Sequence, residues 1–359
     1  MSHTLQERWS SLVLAKLRKL LVLKDGVVFN NNYEGDPKAG AVKIPVRDTE
    51  VAVSDYDRAN GIKPTNGSTT YETMVITHDV AVNEIIDGYE ASAVPDNLVA
   101  DRLDSAAYAM AHKVDDEGAT VLLAAATHEN VDAVTVENAY EKLVDIRTAM
   151  SKANIPTTGR YCLATPDFYA LILKDKEHFV GPTGMGAEIV ATGAVGQIAG
   201  FTVYEWNDST AGLQCVCGHP DFATRCLEFS VPVRLQDLSG SGNYIGSSAV
   251  QGRSVFDHKV LRSVGIRAMF APAALAVTAA PASTAGKTVL TVTGASGSLQ
   301  YKVKPAARAA FGETYSGTAL TSGSTSIAVN PGETIEVVDL ASGAVAAVGY
   351  ITVSAADIK

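Results

Sequence analysis

Cys215-x-Cys217-x-His219, with Cys226 beyond, is the densest run of soft metal-ligand types in the chain. Four such ligands are what a structural zinc site requires. The spacing departs from paired C-x₂₋₄-C knuckles, and alternate residues share a face only while a strand lasts, so a strand ending in a Gly218-His219-Pro220 turn explains the same residues and no metal site is assigned. The stretch from Pro281 to Thr288 nearly spells a phosphate loop through Gly286, Lys287 and Thr288. Proline stands where the first glycine belongs and a β-pattern follows the lysine, so the helix-terminal amides that would cradle an anion are missing. Asp55 and Asp57 with Asn60-Gly61 resemble part of a calcium loop, yet the spacing is off and no closing glutamate follows; a solvated hairpin tip is the expectation. No Ser-His-Asp set, carboxylate pair or G-x-S-x-G elbow stands out. No catalytic residue, metal or cofactor is therefore expected, and the chain reads as a non-enzyme.

Of 359 residues, 47% are hydrophobic and 19% charged, which is globular composition and leaves ample material for a core. The length suggests two or three domains. With 29 basic and 39 acidic residues the net charge is −10, so bulk attraction to nucleic acid is absent and any contact with a polyanion must be local. Four interior cysteines are too few for a disulfide framework, which points to synthesis in a reducing compartment and to packed thiols. Near the N-terminus, Leu5, Trp9, Leu12, Lys16 and Leu20 fall at helical spacing. Lys16, Arg18 and Lys19 interrupt the apolar cluster, so signal-peptide and membrane-span readings fail, and an amphipathic, locally positive arm is expected.

The elements that would position these residues follow in order. Val42, Ile44 and Val46, then Val51 and Val53, alternate toward a turn-rich middle at Asp55 to Ser68, and Thr69 to Thr77 resumes the period of two, which predicts a long hairpin. Such a ribbon has almost no core of its own. The spacing from Pro95 to Ala126 predicts one long helix of roughly 45 Å, bent or interrupted at Gly118. Thr135 is the expected cap of a second helix bearing Leu143, Ile146 and Met150, and Thr165-Pro166-Asp167 opens a third. Strands are expected at Arg160 to Ala164, Phe201 to Glu205, Leu213 to Cys217, Glu228 to Leu235 and Val255 to Phe270, with a mobile glycine-rich loop at 181–200.

From Leu275 onward Ala, Thr, Ser, Val and Gly dominate, with five basic and five acidic residues and no Cys, Trp or His. Short strands between glycine and proline turns predict an immunoglobulin-like β-sandwich joined through Pro272 and Pro281. A module without chemically capable clusters reads as a surface or binding appendage.

Four phrases carry a resemblance: Arg160 to Leu171 (RYCLATPDFYAL), Gly196 to Glu205 (GQIAGFTVYE), Gly218 to Ala223 (GHPDFA) and Val264 to Pro272 (VGIRAMFAP). In this order, behind a basic arm, a hairpin and a long helix, they resemble the major capsid protein of tailed bacteriophages, whose fold encapsulin shells share. The resemblance covers residues 1–272 and implies an α+β fold: an N-terminal arm (1–32), an extended loop (33–78), a peripheral domain with a long spine helix (79–135 and 228–272) and an axial domain (136–227), with the all-β sandwich at 273–359. It implies a shell of hexamers and pentamers around phage DNA, made in the bacterial cytoplasm with a separate scaffolding protein and a portal, and no membrane. The hairpin's missing core would then be a neighbouring subunit. Interface candidates are Trp9, Arg18 and Lys19 in the arm and Asp48, Glu50, Asp55, Asp57, Arg58 and Lys63 in the loop; Lys38, Lys43 and Lys63 are placed where some family shells cross-link. An encapsulin-like compartment is the alternative of the same fold, and a secreted hydrolase with a β-sandwich binding module the alternative of another class.

Overall fold

The structure is a computed structural model that describes residues 18–19, 21–33, 40–46, 53–62, 70–93, 98–175, 196–240 and 242–359. The first elements are β1 (Ala41–Val46), β2 (Thr70–Val75), β3 (His78–Asp87), α1 (Gly88–Ala93) and α2 (Leu98–Ala125). Next come β4 (Thr127–Asn130), α3 (Ala139–Lys152), β5 (Tyr161–Ala164), α4 (Pro166–Lys174), β6 (Gln197–Ile198), β7 (Phe201–Glu205) and β8 (Leu213–Gly218). The chain returns through β9 (Ala223–Asp237), β10 (Ser247–Val260) and β11 (Ile266–Phe270). It ends in β12 (Ala273–Ala274), β13 (Ala276–Pro281), β14 (Lys287–Thr293), β15 (Ser298–Val303), β16 (Thr318–Ala319), β17 (Ser326–Ala328), β18 (Thr334–Ala341) and β19 (Ala344–Thr352). The result is a mixed α+β fold in two units: Met1–Ala124 with Pro220–Leu261, and Ala125–His219 with Arg262–Lys359.

In the first unit α2 runs 28 residues, about 42 Å at 1.5 Å per residue. It buries Ala106, with Leu98, Val99 and Leu103, against Val82 and Ile86 of β3, Val233 of β9 and Val250 of β10 in the antiparallel sheet β3-β10-β9. Gly118 does not interrupt the helix. A Cβ there would stand 3.1 Å from Phe29 Cε2 and 3.2 Å from His258 Nε2, so its role is to let two buried rings approach the helix backbone. β1 and β2 pair antiparallel from Ala41↔Val75 to Val46↔Thr70. Contrary to the expectation of a ribbon without a core, Ile44 and Met74 are buried against Cys226, with Tyr33, Ile76 and Leu261 packed around them.

The second unit is built on the sheet β4-β11-β8-β5-β7-β6, in which β4·β11 and β5·β7 are parallel. Its local signals act as read. Thr165 caps α4 by accepting from the Phe168 N–H, with Pro166 in the first turn. Helix α3 starts later than expected, because Asn138 and not Thr135 occupies its cap and receives the Thr135 N–H at 2.7 Å. Arg160, 2% exposed, donates to the carbonyls of Ile155 and Pro156 at 2.7 Å each and to that of Arg147 at 3.4 Å, placing a cation at the C-terminal end of α3.

The expected single strand from Val255 to Phe270 is two strands in different sheets, β10 with β9 and β3, and β11 with β8 and β4. The short turn at Ser263–Gly265 redirects the chain between them. For the same reason the ranges 79–135 with 228–272 and 136–227 do not coincide with the observed units: β4 pairs with β11, which carries both into the second unit, and Pro220–Leu261 lies in the first. Strand β3 lies outside the strands that the sequence pattern predicts, because Ala81 between Val80 and Val82 blurs the alternation.

The C-terminal segment is a β-sandwich. The sheets β12-β19-β18-β15-β16 and β13-β14-β17 enclose one core, with Leu290 and Ile327 from the smaller sheet against Ile335 and Val337 from the larger. It is no loose appendage. Within the second unit Phe311 stacks on Phe270 at 5.8 Å between ring centroids, and its N–H donates to the Val131 carbonyl at 3.2 Å. Two buried carboxylates brace its loops: Glu336 accepts from the Ala309 N–H and the Tyr315 hydroxyl, and Asp339 from the N–H groups of Ser296 and Gly297.

Candidate assembly surface

Three local sequences position the surface that the extended-loop expectation concerns. Ile44 and Met74 share a face of the ribbon and hold it to β9 and its surroundings, while Lys259 at the end of β10 reaches the Thr73 carbonyl at 2.9 Å and Glu72 at 3.0 Å. Thr77 is fixed by Asp257 Oδ2, which accepts from its N–H at 3.0 Å and its hydroxyl at 2.9 Å. The opposite positions then face outward: Tyr71 is 64% and Val75 57% exposed.

Between the strands, residues 53–62 form a turn organised by Asp57. Its carboxylate accepts from the Ala59 N–H at 2.8 Å and the Asn60 side-chain amide at 2.6 Å, and its carbonyl from the Gly61 N–H at 2.8 Å; Gly61 adopts φ +66°. The Ala59 N–H, then the Asn60 amide, hold the Asp57 carboxyl below its ordinary range. Asp57 is thus engaged by its own turn. Asp55 and Arg58 lie exposed beside it, whereas Asp48, Glu50 and Lys63 fall outside the described residues. The large apolar residues of this turn face solvent: Val53, part of the predicted alternation, is 96% exposed, and Tyr56 and Ile62, which no sequence expectation singles out, are 71% and 53% exposed. Their signal was available as large apolar types inside a turn-forming segment.

In the N-terminal segment Trp9 also lies outside the described residues. Arg18 forks onto Asp104 and lies 4.8 Å over the Tyr108 ring, and Lys19 meets Asp116 at 3.3 Å. Both expected interface cations therefore contact helix α2 of their own chain. The strap continues with the Leu23 N–H donating to Asp115 Oδ1 at 2.9 Å, an Asp25–Arg225 ion pair, and Val28 and Phe29 fully buried. Burial raises the Asp115 carboxyl above its ordinary value. Beneath Phe29, His258 is pushed down to about 4, first by burial and then by the Arg225 charge.

The soft-ligand group separates. His219 Nε2 donates to the Thr158 carbonyl at 2.9 Å, and Cys226 packs with Ile44 and Met74 in the first unit. Cys162 instead joins Cys215 and Cys217. Lys43 is exposed on β1, and Lys38 lies outside the described residues. No helix among the described residues is long and apolar enough to cross a membrane.

Residues 89–228 match the family described as phage capsid protein. No curated protein matches the chain. Among solved structures, a chain of Mycobacterium phage Che8 superposes with TM-score 0.62 at 20% identity, over 75% of this chain and 98% of its own. The capsid of cyanophage P-SCSP1u gives 0.61 at 15% identity over 74% and 92%, and the mature capsid of bacteriophage PhiM1 0.58 at 12% over 74% and 91%. The fold is therefore similar to those of these phage chains, each covered over 91–98% of its own length. A segment that matches the phage capsid protein family, residues 89–228, thus lies within a fold similar to those of these phage chains.

Proposed function

We propose that copies of this chain close an icosahedral shell of hexamers and pentamers around phage DNA, with the β1–β2 ribbon and its turn laid on a neighbouring copy. The observation that carries this reading is the exposure of five large apolar residues, Val53, Tyr56, Ile62, Tyr71 and Val75, on one ribbon whose other face is already anchored. Burying such residues contributes about 1.5–3 kcal/mol each, which repeated around a closed symmetric shell gives avidity that one contact lacks. We read the first unit as N-terminal arm, extended loop and peripheral domain, and the second as axial domain with an immunoglobulin-like sandwich. Scaffolding protein and portal are the expected assembly partners, and the bacterial cytoplasm the place of synthesis. An acidic subunit suits containment of DNA, since net repulsion limits adhesion.

Electron microscopy of the purified chain, with and without its scaffolding protein, tests this. Closed shells are expected from the native chain. Tyr56→Asp combined with Tyr71→Asp is expected to abolish them while circular dichroism stays unchanged. Normal shells from the double variant would refute the loop contact, and nuclease-protected DNA as against protein cargo separates a virion from an enzyme compartment.

A further inference from the structure

Cys162, Cys215 and Cys217 place three thiol sulfurs within 4.8 Å of one another, all fully buried. The strand register builds this cluster. β5 pairs antiparallel with β8 so that Cys162 stands opposite Cys217, while Cys215 and Cys217, two residues apart, share a face with their sulfurs 3.9 Å apart. On the other side of β8, Met269 of β11 stands directly opposite Cys215 and is also fully buried, so the same face of three adjacent strands carries three thiols and one thioether. His219, the nearest imidazole in sequence, is turned to the Thr158 carbonyl.

We propose that this cluster is a binding site for a thiophilic monovalent d¹⁰ cation, Cu(I) in chemical class, held by the thiol sulfurs of Cys162, Cys215 and Cys217 with the Met269 thioether as a weak further ligand. A metal–thiolate bond near 2.3 Å puts ligand sulfurs about 3.8–4.0 Å apart, the separation already present between Cys215 and Cys217. Soft sulfur donors without oxygen or imidazole select Cu(I) over magnesium, calcium or manganese. Three thiol sulfurs with one weak thioether fall short of the four full ligands that a structural zinc ion takes. Because all the sulfurs are buried, the ion enters as the sheet forms.

The test uses the full chain made in copper-supplemented cells and purified without oxygen, with copper measured per chain by mass spectrometry and competed against a Cu(I) chelator. One copper per chain is expected, with a sulfur-only first shell by X-ray absorption. Cys226→Ser is expected to bind as the native chain does. Cys162→Ser and Cys215→Ser are expected to lose on the order of 100-fold in affinity or more, since even an outer-sphere change costs 10–100-fold. Met269→Leu, which conserves volume and fold, is expected to weaken retention measurably without changing stoichiometry. Copper no higher in the native chain than in the Cys162 and Cys215 variants, nitrogen or oxygen in the first shell, or preferential retention of zinc would each overturn the proposal.

Discussion

Gly118 sits inside α2 where helix propensity alone favours alanine by about 1 kcal/mol. A methyl group there meets Phe29 and His258, both buried, at 3.1 and 3.2 Å. Overpacking of this kind costs about 1–3 kcal/mol, so Gly118→Ala is expected to lower stability, read as a lower thermal midpoint, despite the better helix former. The neighbouring histidine supplies a pH dependence. The His258 imidazole titrates at about 4 when folded and near its ordinary 6.5 when unfolded, so the unfolded chain binds more protons between those values. Stability associated with this group is complete above pH 6.5 and falls by at most about 3 kcal/mol as pH drops toward 4. Asp115 acts in the opposite sense, because its raised pKa lets the folded state take a proton first as pH falls. His258→Gln is therefore expected to flatten the acid-side loss of the thermal midpoint between pH 6.5 and 4. A native-like slope in that variant would place the loss elsewhere.

At the scale of elements, the Phe311–Phe270 stack is among the contacts that hold the sandwich to the second unit's sheet, beside the Phe311 N–H to Val131 carbonyl bond and the packing of Ala133. Phe311→Ala is expected to cost about 1–3 kcal/mol and to speed hydrogen exchange at the Phe311 amide that bonds Val131. Gly212→Ala should do the same from the other partner, since its Cβ would lie 2.5 Å from the Phe311 ring at a backbone φ of +76°. None of this was legible in the chain, because Gly212 and Phe311 are a hundred residues apart and only tertiary packing joins them. What was legible was local. The Thr165-Pro166 cap, the 28-residue α2 and the alternation of β1 all follow from neighbours within a few positions. The break between β10 and β11 was hidden because both are apolar and strand-like, and only their pairing partners distinguish them. The surface was read through its charges. Yet Arg18, Lys19 and Asp57 are engaged within their own chain, and the ribbon also turns outward the tyrosines Tyr56 and Tyr71, a type enriched at interface hot spots.

For the molecule as a whole, the three phage structures are covered over 91–98% of their own length while matching 74–75% of this chain. The remaining quarter, about 90 residues, is comparable in size to the segment 273–359 that holds the sandwich. Its removal uncovers Phe270, now 6% exposed, together with Ala133, which packs against Tyr315, Val338 and Leu340. Exposing one buried phenylalanine costs about 1.5–3 kcal/mol, a large fraction of a domain's net stability but not of its topology. A chain ending at Pro272 is accordingly expected to form closed shells of native diameter by electron microscopy, with a thermal midpoint several degrees lower. Failure of the shortened chain to close, when the full-length Phe311→Ala variant closes normally, would show that the sandwich takes part in contacts between subunits and is more than a cover for its own sheet.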